Sequence, residues 1–341
     1  MINFNCFHFV NIELEQRQYM ISIEVNEDAD SEWNERLLRS NLGTIYHTPE
    51  YASYARTLGR KPYFVKFITD KDKIVGQITL FENSRFEKKN MMATIFRKTP
   101  GLKKAVYRWI YGPIILEPEY TDEICNSFRE FLLSKNTRIN GSEHPLSREL
   151  LSRLGKPFQL QTWATFLIDL SQDSDSIWKK LDKHSARKNI ERSEKRGVYI
   201  KEINSSNLYQ YNKMLLETKS KAGINLSESD TRTLWNNLSN VGLTGFIAYE
   251  NEVPIGGILV SSFNRYVNEW GIARTEKDSS YKLYAQDLLK WKIIEWGIEN
   301  KFRYYDLTGV NPDSKDEKEQ KIFRYKKKFG GDLVKYNLVM L

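Results

Sequence analysis

The sequence predicts an α/β protein made of two similar halves, each with a mixed sheet flanked by helices. Its 341 residues suggest two domains, because a domain usually takes about 150 residues. Segments 62–81 and 244–263 each show a strand, a charged turn and a second strand, which is a β-hairpin pattern. Helical and strand patterns alternate around both hairpins, and this alternation is typical of an α/β fold.

The other elements follow from apolar spacing and from residues that begin or end helices. In the first half, helices are predicted at 31–39, 49–58 and 120–134. In the second half, a helix is predicted from the cap candidates at 173–176 to Arg196, where Gly197 ends it. Two more helices are predicted at 207–219 and 282–299, and a strand is predicted at 304–307. The helix at 282–299 is expected to bury one face, and an acidic loop is expected at 311–320.

The positive charge of the chain is concentrated in two places. The net charge is +8, and the isoelectric point is near 9.1. Residues 179–201 hold nine basic and three acidic side chains, whereas residues 321–328 hold five basic side chains and no acidic one. Clustered cations indicate a partner that carries phosphate groups, whereas the same charge spread over the surface would not indicate one.

Several common kinds of site have no signature in the sequence. GxxxxGK[ST], GxGxxG and HExxH are all absent, so nucleotide hydrolysis, dinucleotide binding and zinc proteolysis are not indicated. The four histidines are scattered, and Cys6 and Cys125 have neither zinc-ligand nor disulfide spacing, so no metal site is expected. Without an apolar run of membrane-spanning length or an export signal, a cytoplasmic location is expected.

The C-terminal segment 321–331, KIFRYKKKFGG, alternates aromatic rings with cations. This pattern suits a nucleic-acid end, because bases stack on rings while cations neutralise phosphates. It equally suits an amphipathic turn whose rings belong to the core and whose lysines are solvated. Composition alone slightly favours the second interpretation.

Longer motifs bear on this choice. From most to least specific they are YDLTGV at 305–310 with RYKKKFGG at 324–331, SARKNIERSEKRGV at 185–198 after TFLIDLS at 165–171, TKSKAGI at 218–224, and YGPI at 111–114. Together they resemble the FemABX family, non-ribosomal peptidyltransferases that add amino acids from aminoacyl-tRNA to peptidoglycan precursors. The matching segments cover most of the chain, and the C-terminal pair is the most specific.

The resemblance implies a pair of GNAT-like (acyl-CoA N-acyltransferase-like) domains. The segment after Ile224 is too short for the coiled-coil arm of larger members, so no arm is expected. The first domain would span 1–160 and serve the acceptor, with 333–341 as a candidate completing segment. The second would span 161–332 and serve the aminoacyl-tRNA. Glu143-His144-Pro145 stands where the family has Asp-Pro, a departure on the acceptor side.

The resemblance also implies roles for individual residues. Tyr325 and Lys326 are the candidate catalytic residues, Tyr325 holding the tRNA 3′ end and Lys326 assisting the transfer. The side chains expected to contact tRNA are Arg187, Lys188, Arg192, Lys195, Arg324, Lys327 and Lys328. Lys221, which replaces a family arginine, and Arg56 are candidates for binding the acceptor. No metal or cofactor is expected, because aminoacyl-tRNA is itself the co-substrate.

The predicted function is transfer of an amino acid from aminoacyl-tRNA to a primary amine of a cell-wall peptide precursor, nucleotide- or lipid-linked. A first alternative is a CoA-dependent N-acyltransferase acting on a sugar or protein amine. The turn at 275–282 disfavours it, because it lacks the glycines that usually cradle a pyrophosphate. A second alternative is an RNA-binding protein without catalytic activity. Asp306, within the C-terminal motif, is interpreted as structural rather than as a base.

Overall fold

One continuous mixed sheet of thirteen strands forms the centre of the described protein. A computed structural model describes residues 20–83, 106–135, 137–224 and 227–341, so Cys6 lies outside the described residues. Helices flank the sheet, as the α/β prediction requires. None of the described helices has the length and apolar character needed to cross a bilayer.

The strands fall into the two predicted halves. In the first half they are β1 (Ile21–Asn26), β2 (Lys61–Thr69), β3 (Ile74–Asn83), β4 (Val106–Trp109), β5 (Ile114–Ile115) and β6 (Arg138–Ser142). In the second half they are β7 (Gln159–Asp169), β8 (Tyr199–Glu202), β9 (Leu243–Glu250), β10 (Val253–Phe263), β11 (Tyr266–Arg274), β12 (Tyr304–Val310) and β13 (Asp332–Met340). The pairs β2–β3 and β9–β10 are the two predicted hairpins, which are confirmed.

The described helices of the first half, and those at 208–221 and 285–299 in the second half, lie close to the predicted positions. Those of the first half are α1 (Trp33–Arg39), α2 (Pro49–Thr57) and α3 (Thr121–Ser134). Those of the second half are α4 (Ser174–Lys180), α5 (Lys188–Lys195), α6 (Leu208–Lys221), α7 (Glu228–Leu238), α8 (Glu276–Ser280), α9 (Ala285–Glu299) and α10 (Glu317–Lys327). Cys125 is buried in α3.

The sheet order shows that the two halves repeat one arrangement. The order is β1-β2-β3-β4-β6-β13-β7-β12-β11-β10-β9-β8, with β5 paired to β3. In each half, a hairpin is followed by an antiparallel strand (β4 or β11), which then pairs in parallel with the next strand (β6 or β12). The internal repeat predicted from the hairpins therefore extends to the strand topology.

Strand β13 joins the halves at the middle of the sheet. It pairs along its length with β7, and its last residues, Leu338 to Met340, pair with β6. The sheets of the two halves are therefore edge-joined through β13 and β7. The proposed boundary between residues 160 and 161 falls inside β7, and the domain limits stay a prediction.

The halves also share an apolar core. One cluster of buried side chains includes Trp33 and Tyr51 of the first half together with Tyr211 and Leu234 of the second. A separate cluster lies beneath α5 and α9 on the other face of the second half. Burial of apolar surface, which stabilises a fold by about 25 cal/mol for each Å² removed from water, therefore holds the two halves together.

The helix predicted from 173 to 196 is two helices in the structure, so that prediction was wrong. α4 ends at Lys180, and a π-helical turn over Lys183–Arg187 precedes α5. The Asp182 side chain accepts hydrogen bonds from the backbone N–H groups of His184 and Ser185, which begins a new helix instead of continuing the old one. The basic residues of 179–201 are therefore spread over the end of α4, the π-helical turn, α5 and the residues that follow α5.

The C-terminal motif also differs from expectation, because it is helical. The acidic residues expected in a loop at 311–320 include Glu317 and Glu319, which form the first turn of α10. Asp316 caps this helix by accepting a hydrogen bond from the Glu319 N–H (2.9 Å). Acidic residues at the start and basic residues at the end complement the helix dipole, so the charge pattern itself stabilises the helix.

Candidate active site

The parallel strands β11 and β12 separate soon after they begin. They pair only from Tyr266 to Asn268 and from Tyr304 to Asp306. Farther along, β11 bulges at Trp270 against β10, and β12 shifts register against β7 between Asp306 and Gly309. Beyond these residues the two strands are no longer paired with each other, and this unpaired region is called here the β11–β12 gap. Bulges commonly redirect side chains next to active sites.

A buried charged network lies at this gap. The Lys290 ammonium on α9 forms an ion pair with the Glu269 carboxylate on β11, and the Tyr305 hydroxyl donates to the same carboxylate (2.7 Å). All three side chains are buried. Burial lowers the pKa of Lys290, and the negative charge of Glu269 opposes this effect. The second Glu269 oxygen, Oε2, has no hydrogen-bond partner among the described residues.

Lys326 on α10 is held against the other side of the gap. Its Nζ donates to the Thr308 carbonyl (3.2 Å), the Thr308 hydroxyl (3.1 Å) and the Gly309 carbonyl (3.3 Å) of β12. Burial lowers the pKa of Lys326 to about 8, although the charge of Glu269 favours the ammonium form. All three acceptors are neutral oxygens, and within the described part of the chain no carboxylate pairs with this ammonium, so its charge stays available to a developing anion.

The backbone at Thr308 has an unusual conformation that serves this contact. Its φ is +65°, which is a strained value for a β-branched residue. The Asp306 carboxylate accepts a hydrogen bond from the Thr308 N–H (2.7 Å) and stabilises the turn. A strained backbone conformation persists only where the surrounding structure holds it in place, and such positions cluster at functional sites.

Tyr325 lines a small pocket beside the gap. The pocket has a volume of about 180 Å³ and is formed by Arg274, Asp278, Ser279, Lys282, Tyr284, Gln286, Asp287 and Tyr325. The Tyr325 hydroxyl is buried and has no hydrogen-bond partner within the described part of the chain. The Lys328 ammonium lies 4.1 Å from the centre of the Tyr325 ring.

Two carboxylates occupy the start of α9, where this pocket meets the helix. Asp278 accepts a hydrogen bond from the Ala285 N–H (2.9 Å), and Asp287 forms an ion pair with Lys328. Burial raises the pKa of both aspartates. A helix N-terminus normally attracts anions, but here protein carboxylates already take that position.

The structure brings the two predicted basic segments together. α5 packs against α9, and the Asp182 N–H donates to the carbonyl of Lys328 at the end of α10 (2.8 Å). Arg196, just after α5, donates to the backbone carbonyl of Tyr281 (2.7 Å), beside the pocket. Arg196 and Lys328, one from each basic segment, therefore lie beside one pocket.

The predicted tRNA contacts differ in exposure. The exposed side chains are those of Lys188, Arg192, Lys195, Arg324 and Lys327. Arg187 is half-buried, and its Nε has no partner among the described residues. Lys328 contacts Asp287 and the Tyr325 ring, so it lies at the pocket wall and is not freely solvated.

Two of the three predicted stacking rings belong to the core. Phe329 is buried, and Phe323 packs on Phe166 with 5.1 Å between ring centres. Of the rings that alternate with cations in the C-terminal motif, Tyr325 alone lines the pocket. The core interpretation therefore holds for the two phenylalanines, and Tyr325 packs against the same apolar cluster while also lining the pocket.

The two candidate acceptor residues lie in different places. Lys221, at the end of α6, is exposed and 3.8 Å from Glu276. Thr218 of the same helix bonds to the backbone of Arg274, so Lys221 lies near the end of β11, across the sheet from α9. Arg56 binds Asp28 (2.8 Å), and no described contact joins it to the β11–β12 gap.

Some residues of the site have no signal in the sequence. Glu269 and Lys290 match none of the motifs considered above, and the motif YDLTGV, which contains Tyr305 and Thr308, gave neither of them a role. The sequence pattern did not indicate that Lys290 is buried, because it predicts one buried face for 282–299. In the structure, α9 buries most of its surface. A lysine in such an apolar helix is the one available hint of a buried ion pair. Among the described residues, no His, Cys, Asp and Glu side chains cluster in a way that could hold a metal.

Comparisons of the sequence with protein-family models and with curated proteins find no match. The structure is similar to FemX (TM-score 0.70, 11% identity, covering 92% of this chain and 96% of FemX). It is also similar to L-PGS from Bacillus licheniformis (TM-score 0.56, 11% identity, 93% of each chain). A tandem GNAT protein from the clavulanic acid biosynthesis pathway matches with TM-score 0.51 and 10% identity, over 94% of this chain and 97% of that one. The chain therefore has the predicted FemABX-like fold, a pair of GNAT-like domains.

Proposed function

We propose that this protein is an aminoacyltransferase that moves an amino acid from aminoacyl-tRNA to an acceptor amine. The observation that carries the proposal is that Lys326 and Tyr325 lie side by side at the β11–β12 gap, where the basic segments around α5 and α10 converge. The fold shared with FemX supports the same reaction class.

The reaction needs positioning and charge stabilisation more than a protein nucleophile. The acceptor amine attacks the ester carbonyl carbon of the aminoacyl group, and a C–N bond forms. The C–O bond to the terminal ribose then breaks, and the ribose oxygen leaves with the proton that the amine loses. Lys326 would exchange one of its three hydrogen bonds to β12 for a hydrogen bond to the oxygen that becomes negative, an effect worth about 3–4 kcal/mol for one well-placed donor.

Tyr325 and the basic residues would bind the donor. The Tyr325 ring stacks on the terminal adenine, while Lys188, Arg192 and Lys195 neutralise phosphates of the acceptor stem. A donor of this kind occurs in the cytoplasm, so the reaction would take place there.

The acceptor proposed is a peptidoglycan-precursor-like amine, nucleotide- or lipid-linked, as in the resemblance to FemABX proteins. Lys221 is the better-supported acceptor residue, because it lies near the end of β11 on the opposite face from α9. Donor and acceptor would then approach the gap from opposite faces of the sheet. Arg56 remains a candidate on the resemblance alone.

A CoA thioester is a weaker candidate for the donor. The pyrophosphate of CoA would need the N-terminus of α9, where the Asp278 carboxylate already accepts the Ala285 N–H and Asp287 lies close by. Placing a further dianion beside these carboxylates is unfavourable. The RNA-binding alternative differs from the proposal only in lacking turnover.

The test is incubation of the full chain with a pool of charged tRNAs and cell-wall precursors, with and without ribonuclease, followed by mass spectrometry. A mass increase of one amino-acid residue on an acceptor that disappears with ribonuclease supports the proposal. RNA binding without any mass increase favours the non-catalytic alternative. A mass increase that requires acetyl-CoA and survives ribonuclease favours the CoA-dependent one.

A further inference from the structure

A second, larger cavity lies at the other end of β11 and β12. It has a volume of about 750 Å³ and lies where loops of the first half meet the β10–β11 turn and the start of β12. β12 extends by about 3.3 Å per residue, so Tyr304 in this cavity lies about 13 Å from Thr308, which binds Lys326. The cavity is therefore separate from the site proposed for aminoacyl transfer.

Five exposed cations line this cavity, called here the arginine cleft: Arg39, Arg148, Arg265, Arg303 and Lys335. No aspartate or glutamate of the described chain lines it. None of the five takes part in an ion pair recorded between described residues, although Asp169 lies within electrostatic range of Arg303. Uncompensated like charges repel one another, so a concave cluster of them is favourable mainly when an anion binds.

The backbone fixes two of these arginines beside each other. The Arg265 carbonyl accepts a hydrogen bond from the Arg303 N–H (2.8 Å). Arg265 has φ +61° in the two-residue turn between β10 and β11, where glycine or asparagine is favoured. Arg148 has φ +48°, another position where glycine would be less strained. Because arginine is strained at these two positions, its presence there indicates that the arginine side chains have a function.

The walls of the arginine cleft are also held in place. The Asn264 side chain, next to Arg265, donates to the carbonyl of Leu37 (3.1 Å) near the end of α1, as well as to the carbonyl of Ser40 (2.5 Å). Ser40 in turn donates to the Ile115 carbonyl (3.1 Å). Both halves of the chain therefore shape one preformed cleft, which reduces the entropy lost on binding.

We propose that the arginine cleft binds a phosphorylated small molecule with several negative charges. Guanidinium groups bind phosphate oxygens in a bidentate manner, and a cavity of this size suits a compact ligand. The Arg303 guanidinium lies over the Tyr304 ring (5.2 Å to its centre), and the apolar side chains of Leu42 and Leu146 give the cleft a surface for an apolar part of the ligand. This site is independent of the proposed transfer reaction.

The test is calorimetric titration of the full chain with ATP and, separately, with inorganic tripolyphosphate. The wild type and a control variant, Lys71→Gln with Arg138→Gln, should bind at least one of them in the micromolar range. Arg265→Gln with Arg303→Gln should bind about tenfold or more weakly, because two charge-assisted contacts are lost. Unchanged circular dichroism and an unchanged melting temperature in each variant would show that folding is intact.

The two ligands distinguish what the cleft recognises. Equal affinity for both means that the phosphate chain alone is bound, and tighter binding of ATP means that the nucleoside contributes. Wild-type protein that binds neither ligand, or an arginine variant that binds as well as the control, would overturn the proposal. If the arginine variant loses tRNA binding but still binds ATP or tripolyphosphate like the control, the cleft binds RNA, and this result would also overturn the proposal. Transfer activity serves as the separate readout, since the proposed reaction does not depend on this cleft.

Discussion

The Tyr111 hydroxyl in the first half donates a hydrogen bond (3.1 Å) to the buried Asp306 carboxylate in the second half. Asp306 also accepts from Thr165, Tyr266, Asn268 and the Thr308 N–H. Burial raises the pKa of Tyr111 well above its ordinary value, and the charge of Asp306 adds to this effect. A carboxylate with five donors is a structural group, so the interpretation of Asp306 as structural fits this geometry.

This relationship makes the stability of both halves depend on one carboxylate. Asp306→Ala should lower the free energy of unfolding by about 3–5 kcal/mol, because several buried donors lose their acceptor. Tyr111→Phe should lower it by about 1.5–3 kcal/mol, the value of one hydrogen bond to a charged group. Urea denaturation measures the free energy of unfolding of both variants. Tyr281→Phe, at an exposed side chain, is the control. An Asp306→Ala protein as stable as the wild type would refute the structural role.

Lys326 should be needed for transfer but not for folding. Lys326→Met should reduce the rate of transfer by about 10²–10³-fold, as expected when a donor to the developing oxyanion is lost. The melting temperature should change little, because relief of a buried charge offsets the three lost hydrogen bonds. Lys321→Met, on the exposed side of the same helix, is the matched control. Full activity in Lys326→Met would remove Lys326 from the mechanism.

The pH dependence should report the ammonium form of Lys326. Its pKa is lowered to about 8, so the protonated fraction, and with it the rate of transfer, should fall as pH rises through that value. An arginine keeps its charge to much higher pH. The residual activity of Lys326→Arg should therefore not decline near pH 8. A decline at the same pH in both proteins would assign the titration to another group.

Tyr325 should act through its ring rather than its hydroxyl. The hydroxyl has no partner among the described residues, so Tyr325→Phe should keep most of the activity. Tyr325→Ala should weaken donor binding by about 1–3 kcal/mol, the usual value of one stacked base. Steady-state kinetics with charged tRNA as the varied substrate measures this as an increased KM. Equal losses in the two variants would indicate that the hydroxyl, and not stacking, makes the contact.

Binding of tRNA should depend strongly on salt. Phosphate neutralisation releases counterions, so affinity should fall steeply between low and moderate salt. Replacing Lys188 and Lys195 with glutamine should weaken binding and make the salt dependence less steep. The control replaces Lys71 and Arg138, which are exposed in the first half, and should leave both quantities unchanged. A salt response as steep in the first variant as in the wild type would exclude these lysines as phosphate contacts.

Local patterns predicted most of the fold, because hairpins and amphipathic helices are encoded by neighbouring residues. The two hairpins, α3 and the basic segment that contains α5 were predictable in this way. The insertion of β13 between β6 and β7 was not, since that pairing joins distant parts of the chain. The break before α5 depends on how the Asp182 side chain caps the turn, which residue periodicity does not specify.

The candidate site was predictable only in part. Tyr325 and Lys326 were indicated by a motif, and the structure places Lys326 on the β12 backbone and Tyr325 in the pocket. The Glu269–Lys290 ion pair joins a strand to a helix that has no charge pattern pointing to it. The left-handed conformation of Thr308 likewise depends on tertiary contacts with Asp306 and Lys326. Such contacts follow from the packing of elements, and the sequence alone does not reveal them.

The central claim is that Lys326 promotes transfer from aminoacyl-tRNA, and single-turnover kinetics with a tRNA pool carrying labelled amino acids tests it most directly. The wild type should move the label to an amine acceptor at a rate that falls about 10²–10³-fold in Lys326→Met, while Lys321→Met behaves as the wild type. No movement of label by the wild type with any charged tRNA, or equal rates in the wild type and Lys326→Met, would contradict the account.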